Sequence, residues 1–439
     1  MPNKKALLFG RPFTKSFDWL YSQIGIKYGI DYFSVSDFKK LNLHNHHDLV
    51  TRQYQLLETS ALQNNEFDTD DVIARCRYLR ALNLSLAENL VNSYVQAIDE
   101  VFNSCEIDHV ISVPVDNYAT HLLFLYCQKH GIKFLTPQRS FVGSYTRLTS
   151  LGEYVKVRDV SDDEIRLLSN QLNTDFQPYT LNNKRSKAKL LQMYLRERVK
   201  KAVFTCLKLL YRERYSFHFN TIYPHPYALT VYDSESILAD QYFLGEEESN
   251  EILDQGGFVW LVLQFSPETS LDYHIEDNRF SKYESFIKRI REIYPDENII
   301  AKEHPSCVGL RSAHFYKFLN SQGIRILAQG VNASEIISKA DYVITTGGSS
   351  TGAETLIKGK KLLNFGGAYY VASCPTKDFP EVNKKEAFEF VSQSPEDTCR
   401  NILENTLVGK YDFFGRSKRS LKSEDWEIVE KIIKYIEHV

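Results

Sequence analysis

The sequence predicts an α/β chain of two Rossmann-like domains with a cleft between them, and three observations predict it. The chain has 439 residues, too many for one ordinary core and enough for two domains of comparable size. Short apolar runs alternate with helical patterns in both halves, the order that gives a parallel sheet with helices on its faces. Between the halves the alternation lapses into a helical, basic stretch. The expected layout is therefore an N-terminal Rossmann-like domain over residues 1–160, a basic helical insertion over 161–245, a C-terminal Rossmann-like domain over 246–420 and a crossover helix over 421–439.

The elements follow in order. Ala6 to Phe9 is an apolar strand that ends at Gly10, and Thr14 to Tyr28 is helical in pattern. Asp31 to Val35 is a second strand. Residues 46–103 are helical, with a break at Asp68 to Asp71 that has the look of a helix N-cap. His109 to Val113 is a strand, Tyr118 to His130 a helix and Ile132 to Leu135 a strand. The second half restarts at Phe258 to Gln264, a run apolar enough to be buried on both faces. Strands at Asn298 to Lys302, Ile324 to Leu327, Tyr342 to Thr345 and Lys361 to Phe365 then alternate with helices at Ser281 to Tyr294, Ser312 to Ser321, Ala333 to Ala340 and Gly352 to Lys358. Glu424 to His438 is a closing helix. Two such sheets facing a cleft make the GT-B architecture.

Composition excludes several classes. Hydrophobic residues make up 43% and charged residues 25%, the balance of a soluble globular protein. A formal net charge of −3 argues against bulk binding of nucleic acid. The seven cysteines are scattered and never form a CxxC pair, so they read as reduced thiols. The opening residues carry too short an apolar run for a secretory leader, and no run is long enough to span a membrane. The expected location is cytoplasmic, or peripheral at a membrane. Lys184 to Arg214 holds eleven Lys or Arg against two Glu, with apolar residues interleaved. It reads either as an interdomain helix with a solvated basic face or as a surface for anionic headgroups.

Chemistry concentrates in the second half. In Asp341 to Gly367 a buried strand runs into Thr345-Thr346-Gly347-Gly348, and Ser349-Ser350-Thr351-Gly352 opens a helix. Ligands of open α/β sheets bind at the carboxyl ends of strands. Glycine amides, three hydroxyls and a helix N-terminus suit a phosphate, so Gly348, Ser349, Ser350 and Thr351 are phosphate candidates and Glu354 a candidate for ribose hydroxyls. The plainer alternative is a βα turn capped by serine. At the next strand end stand Lys302-Glu303-His304-Pro305. Pro305 keeps His304 out of helical geometry, and Lys302 and His304 offer charge and a donor. A third strand end carries Gln264 and then Glu268, either at the top of the sheet or on a surface turn.

In the first half Asp116 follows the strand His109 to Val113. It is either an N-terminal acid of the next helix or a general base or nucleophile. Arg11, at another strand end, and Gln264 are candidates for an anionic acceptor or a donor carboxylate. Asp233 is a weaker catalytic candidate. His44, His46 and His47 lack matched carboxylate or cysteine ligands, so no metal site is expected there. Asp68-Thr69-Asp70 has DxD spacing but precedes a helix, which favours capping. Neither GxGxxG nor a P-loop occurs.

The pattern Gln264 to Glu268, Lys302 to Pro305, Ser349 to Glu354 and Gly359-Lys360 with Gly366 resembles the bacterial capsule polysaccharide synthesis transferases, the β-Kdo transferases among them. The resemblance covers mainly residues 258–370, with an echo in Asp116 to Leu135. The HP and SS pairs are also similar to those of bacterial sialyltransferases. What the resemblance implies is transfer of a sugar, Kdo or a related ulosonic acid, from a CMP-activated donor to a glycan or lipid-linked glycan acceptor in capsule or lipopolysaccharide synthesis. It implies no metal and no separate cofactor. His304, Ser349 and Ser350 would hold the donor phosphate, in a C-terminal donor domain opposite an N-terminal acceptor domain. The sialyltransferase acidic motif is missing from the first half, which leaves the catalytic acid open among Asp116, Glu268 and Asp233. A UDP or GDP sugar, CMP-sialic acid, pyruvyl transfer, epimerisation and a non-catalytic scaffold are the other readings.

Overall fold

A computed structural model describes residues 4–11, 14–37, 42–59, 66–175, 186–210, 234–265, 269–275, 278–280, 282–305, 307–309, 311–372, 388–412 and 417–438. The chain divides into two compact units. The first comprises residues 1–151, 155–159 and 403–439, and the second residues 152–154 and 160–402.

The first unit opens with β1 (Lys4–Gly10), α1 (Lys15–Tyr28), β2 (Ile30–Ser36), β3 (His46–His47), α2 (Leu49–Thr59), α3 (Thr69–Arg75), α4 (Leu84–Cys105), β4 (His109–Ile111), α5 (Tyr118–Lys129) and β5 (Lys133–Leu135). These strands form one parallel sheet in the order β3-β2-β1-β4-β5. His46 and His47 are thus the edge strand of that sheet. Asp68 caps α3 by accepting the Asp71 N–H at 3.0 Å, so its DxD spacing is a capping feature. β6 (Gln138–Arg139) and β7 (Tyr145–Arg147) follow as an antiparallel pair.

The second unit contains α6 (Asp162–Asp175), α7 (Lys187–Leu210), a 3₁₀ segment (Ser234–Tyr242), α8 (Glu246–Gln255), β8 (Val259–Val262), α9 (Thr269–Asp272), α10 (Tyr283–Ile293), β9 (Ile299–Lys302), α11 (Ala313–Ser321), β10 (Arg325–Ile326), α12 (Ala333–Lys339), β11 (Tyr342–Thr345), α13 (Ser350–Ile357), β12 (Leu362–Asn364) and α14 (Pro395–Glu404). Its sheet runs β10-β9-β8-β11-β12, again all parallel. In both sheets the strands lie in the order 3-2-1-4-5, the doubly wound Rossmann arrangement. The three central strands of the second sheet are fully buried, from Val259 to Val262, Ile299 to Lys302 and Tyr342 to Thr345, which explains their largely apolar sequence. The helix α10 buries Tyr283, Phe286, Ile287, Ile290 and Ile293, a spacing of three and four residues that lays one stripe on the core. Two Rossmann-like units in one chain are the make-up expected of the GT-B class.

The chain returns to the first unit at Leu403, upstream of the boundary at 420 read from sequence. The cause is β13 (Thr406–Val408), which pairs antiparallel with β7 and extends the small sheet to three strands. After it, α15 (Ser423–His438) buries Ile428, Val429, Ile432, Ile433 and Ile436 in the same core as Leu20, Tyr21 and Ile24 of α1. Residues 161–245, read from sequence as a separate insertion, belong by contact to the second unit.

Ile432 has no exposed surface. Ile432→Ala is expected to lower unfolding stability by about 2–5 kcal/mol, transfer and cavity terms together. The urea midpoint of the full chain measures it. A cost under about 0.5 kcal/mol, the level of an ordinary surface substitution, would mean that α15 is not part of the first core.

Candidate functional site

A doubly wound sheet has an intrinsic crevice where the connections after adjacent strands leave to opposite faces. In the second unit that point lies between β8 and β11. The loops after β9 and β11 emerge on either side of β8, two strand spacings or about 10 Å apart. They carry Lys302-Glu303-His304-Pro305 and Gly347 to Thr351. The sheet therefore brings the two sequence motifs to one edge.

The β11 loop is built by backbone hydrogen bonds to the loop after β12. The Gly348 N–H donates to the Gly367 carbonyl at 2.8 Å, and the Gly367 N–H to the His274 carbonyl at 2.9 Å. Asn364 accepts from the Thr345 hydroxyl at 2.8 Å and donates to the Gly366 carbonyl at 2.6 Å. Gly347 sits at φ 139°, in territory that favours glycine. A methyl group on Gly366 would meet the Thr346 and His274 carbonyls, so this neighbour also needs glycine. Ser349 is the N-cap of α13 and accepts the Thr351 N–H at 3.2 Å. The capping alternative holds for Ser349, whereas Ser350 and Thr351 are half-buried in the first turn. The Thr346 hydroxyl is buried at the same edge and has no hydrogen-bond partner among the described residues.

The β9 loop is organised from beneath by a buried ion pair. Glu303 and Arg311 meet at 2.7 Å and are almost fully enclosed. Tyr316 donates to Glu303 at 2.9 Å, and the His304 N–H donates to Glu303 Oε1 at 2.6 Å. The Cys307 N–H closes the turn onto the His304 carbonyl at 2.8 Å. The His304 ring stands edge-on to Phe265 with centroids 5.6 Å apart. Lys302 is buried, and burial lowers its pKa by disfavouring the ammonium.

One hydrogen-bond chain ties the two loops together. Gln264 Nε2 donates to the Gly347 carbonyl at 2.9 Å. The Gln264 carbonyl accepts from Arg311 Nη2 at 2.6 Å. Arg311 grips Glu303, and Glu303 holds the His304 amide. Gln264 was expected to meet an acceptor or a donor carboxylate; instead its amide is engaged within the protein, because β8 and β11 need a bridge at their divergence.

Two more expectations are corrected. Glu354 was expected to face ribose hydroxyls, but it is buried against Lys358 at 3.4 Å and Ser334. Burial raises its pKa. Arg11 was expected to be open to an anion, but it is 2% exposed and saturated by two carboxylates. It donates to Asp37 at 2.7 Å and to Asp116 at 2.6 and 2.7 Å. Both partners are explained by the sheet order: Arg11 follows β1, Asp37 follows β2 and Asp116 follows β4, so all three crowd the first unit's own switch point. Burial pushes Asp37 up and Arg11 opposes that shift. Asp116 keeps 31% of its side chain exposed. The cap of α5 is Asn117, which accepts from Thr120 and donates to Asp37 at 2.9 Å. Glu268 and Asp233 lie outside the described residues.

Sequence reading missed Glu303, Arg311, Tyr316 and Asp37. An acid at a strand end followed eight residues later by an arginine was the available signal for Glu303 and Arg311. For Asp37 the signal was an acid directly after a second strand.

Removing one partner of a buried pair strands the other charge. Arg311→Met is expected to cost about 3–5 kcal/mol, and adding Glu303→Gln should recover much of it; urea unfolding of the single and double variants measures both. Glu354 adds a pH signature. Its raised folded pKa means that its stabilisation is present below the unfolded value and is lost as pH rises through the folded one. Glu354→Gln should therefore melt at a higher temperature relative to the parent at pH 7 than at pH 4. An equal difference at both pH values would contradict the buried assignment.

Residues 178–399, just over half of the chain, match the family described as capsule polysaccharide biosynthesis protein. No curated protein matches the chain. Among solved structures it is similar over 99% of its length to UDP-GlcNAc 2-epimerase from Methanocaldococcus jannaschii, with 13% identity, 99% of that chain covered and a TM-score of 0.23. It is similar to UDP-GlcNAc 2-epimerase from Neisseria meningitidis with 9% identity, coverage of 99% and 100%, and a TM-score of 0.22. Sucrose-phosphate synthase from Thermosynechococcus elongatus gives 8% identity, coverage of 99% and 98%, and a TM-score of 0.24. Scores of that size mark a distant likeness. The family match is of another kind, because it takes in all five strands of the second sheet and both loops at its switch point, and by it the chain belongs to the capsule polysaccharide biosynthesis protein family.

Proposed function

We propose that this chain is a glycosyltransferase of bacterial surface polysaccharide synthesis that moves a sugar, Kdo in our reading, from a CMP-activated donor to a glycan acceptor. One observation carries the reading. His304 and Lys302 of the β9 loop and Ser349, Ser350 and Thr351 of the β11 loop flank β8 at a switch point, held in register by Gln264, Arg311 and Glu303.

In the proposed reaction the bond between the sugar's anomeric carbon and the CMP phosphate oxygen breaks, and its electron pair leaves with the phosphate. The Ser350 and Thr351 hydroxyls and the first turn of α13 receive the phosphate. His304 donates to the departing oxygen, and Lys302 offers its side-chain amine to the anion. The acceptor hydroxyl attacks the anomeric carbon and gives its proton to a carboxylate. Asp116 fills that role in the first unit, where Arg11 fixes its orientation through two hydrogen bonds. Glu268 and Asp233 stay in the reading as further acids. Lys302, His304 and the helix terminus supply the charge that a resident metal would otherwise bring, so no cofactor is invoked. The acceptor is a glycan, a lipid-linked one included, and contact with a membrane through residues 184–214 belongs to the same picture.

The test is thermal stabilisation by CMP, UDP and GDP, followed by mass spectrometry of products formed from CMP-Kdo with lipid-linked glycans. CMP is expected to stabilise the parent, and His304→Ala and Ser350→Ala should lose that effect. His304→Ala should lower turnover by about 10²–10³-fold, as loss of a positioned donor does. Asp116→Asn should keep the CMP response while turnover falls by about 10²–10⁴-fold. Stabilisation only by UDP or GDP would replace the donor, a CMP response without transfer to any acceptor would leave a binding scaffold, and no response to any nucleotide would overturn the site.

A further inference from the structure

The helix α7 carries an apolar stripe that no described residue covers. Leu191, Leu195, Val199 and Val203 are 47, 54, 63 and 46% exposed. Successive helical residues turn by about 100°, so side chains four apart drift by about 40° and these four sweep an arc of about 120°. Exposed Ala188, Ala202 and Cys206 fall within the same arc. A stripe this continuous is unlike the single exposed aliphatics that ordinary surfaces tolerate.

Charge flanks the stripe on both sides. By the same rotation Lys189 and Arg196 lie along one border of the arc, and Lys187 and Arg198 along the other. All four are exposed. The helix sequence holds seven Lys or Arg and one Glu, whereas the whole chain is net −3. An apolar face bordered by cations is complementary to a layer that is apolar within and anionic at its surface. A soluble protein partner of ordinary composition would not call for cations along both borders.

The opposite side of α7 is anchored in the second unit. Leu190 is 6% exposed, and its side chain lies 2.5 Å from where a Cβ on Gly309 would stand. Gly309 belongs to the loop between His304 and Arg311. Lys187 pairs with Asp240 at 3.7 Å. Among the described residues the helix is thus seated by one face and uncovered on the other. Among the described residues no helix is long and apolar enough to cross a membrane, so α7 is suited to lie on a bilayer and not to span it.

We propose that α7 is a docking surface for an anionic lipid bilayer, inserting Leu191, Leu195, Val199 and Val203 between headgroups that Lys187, Lys189, Arg196 and Arg198 neutralise. Through Leu190 and Gly309 the docked helix is tied to the loop that carries His304. The consequence for a lipid-linked acceptor rests on the glycosyltransferase reading; the docking itself does not.

The full chain is sedimented with vesicles of phosphatidylcholine alone and of phosphatidylcholine mixed equally with phosphatidylglycerol. It is expected to partition to the mixed vesicles, weakly to the neutral ones, and to be released as salt rises. Leu191→Ser, Leu195→Ser and Val199→Ser combined should reduce partitioning on the order of tenfold or more, with circular dichroism and melting temperature unchanged because the stripe is already solvated. Lys189→Gln with Arg196→Gln should weaken the salt dependence of that partitioning. Equal binding by the triple variant, or no binding to either vesicle, overturns the proposal. So does a concentration-dependent dimer that the triple variant abolishes, since a second copy would then be the occupant. Nucleotide-induced stabilisation, measured on the same variants, separates a failure of docking from a failure of the donor site.

Discussion

The side chain and carbonyl of Gln264 hold the second unit's functional edge together. At a switch point the chain leaves β8 and β11 toward opposite faces, so no regular ladder can bridge their ends. Gln264 bridges them with its amide on the Gly347 carbonyl, and its own carbonyl receives Arg311. From Arg311 the chain of contacts runs to Glu303 and then to the His304 backbone. Every member is buried or nearly so, which is why the chain can be rigid: in a low-dielectric interior a satisfied polar network is strong, and an unsatisfied one is expensive. The loops that carry His304 and Ser350 are therefore placed by residues whose polar atoms are engaged within the protein.

The two sheets share a strand order but fill their switch points differently. In the first unit Arg11 lies between Asp37 and Asp116, and three charges occupy the crevice. A dinucleotide-binding unit uses an acid after its second strand to hold a ribose. Here that acid is Asp37, and Arg11 has taken it. In the second unit the charged pair Arg311–Glu303 is set beside β9, and Lys302 and His304 share the crevice edge with the amides and hydroxyls of the β11 loop. Among the described residues, the second unit's edge keeps the half-buried hydroxyls of Ser350 and Thr351 as donors.

Much of this was legible from sequence because it depends on local pattern. The strands of the second sheet are buried on both faces, so their apolar runs located them within a residue or two, and the His304 and Ser349 motifs followed as strand ends. What was not legible depends on long-range pairing. Thr406 to Val408 has no periodicity that distinguishes it, and only its ladder with Tyr145 to Arg147 returns the chain to the first unit. Arg11, Gln264 and Glu354 each had the right residue type and position for ligand contact. For Arg11 and Gln264 the partners stand 26 and 83 residues away in sequence, and nothing in a single strand end reveals that a side chain has been claimed by another. Glu354 pairs one turn on with Lys358, and only its burial against that partner was out of reach of the sequence. Polar residues at strand ends can either meet a ligand or build the loop that does, and burial decides between the two.

That distinction bears on the donor. With Arg311 neutralised by Glu303 and Glu354 turned toward Lys358, Lys302 and the N-terminus of α13 are positive features that the described residues place at the edge. Burial disfavours the charge on Lys302, and an anion placed beside it would offset that cost by direct attraction. The helix terminus contributes roughly half a unit charge. This is a modest complement. Under the proposed function this complement suits a phosphodiester with one negative charge, since the Arg311 guanidinium behind the β9 loop is already held by Glu303.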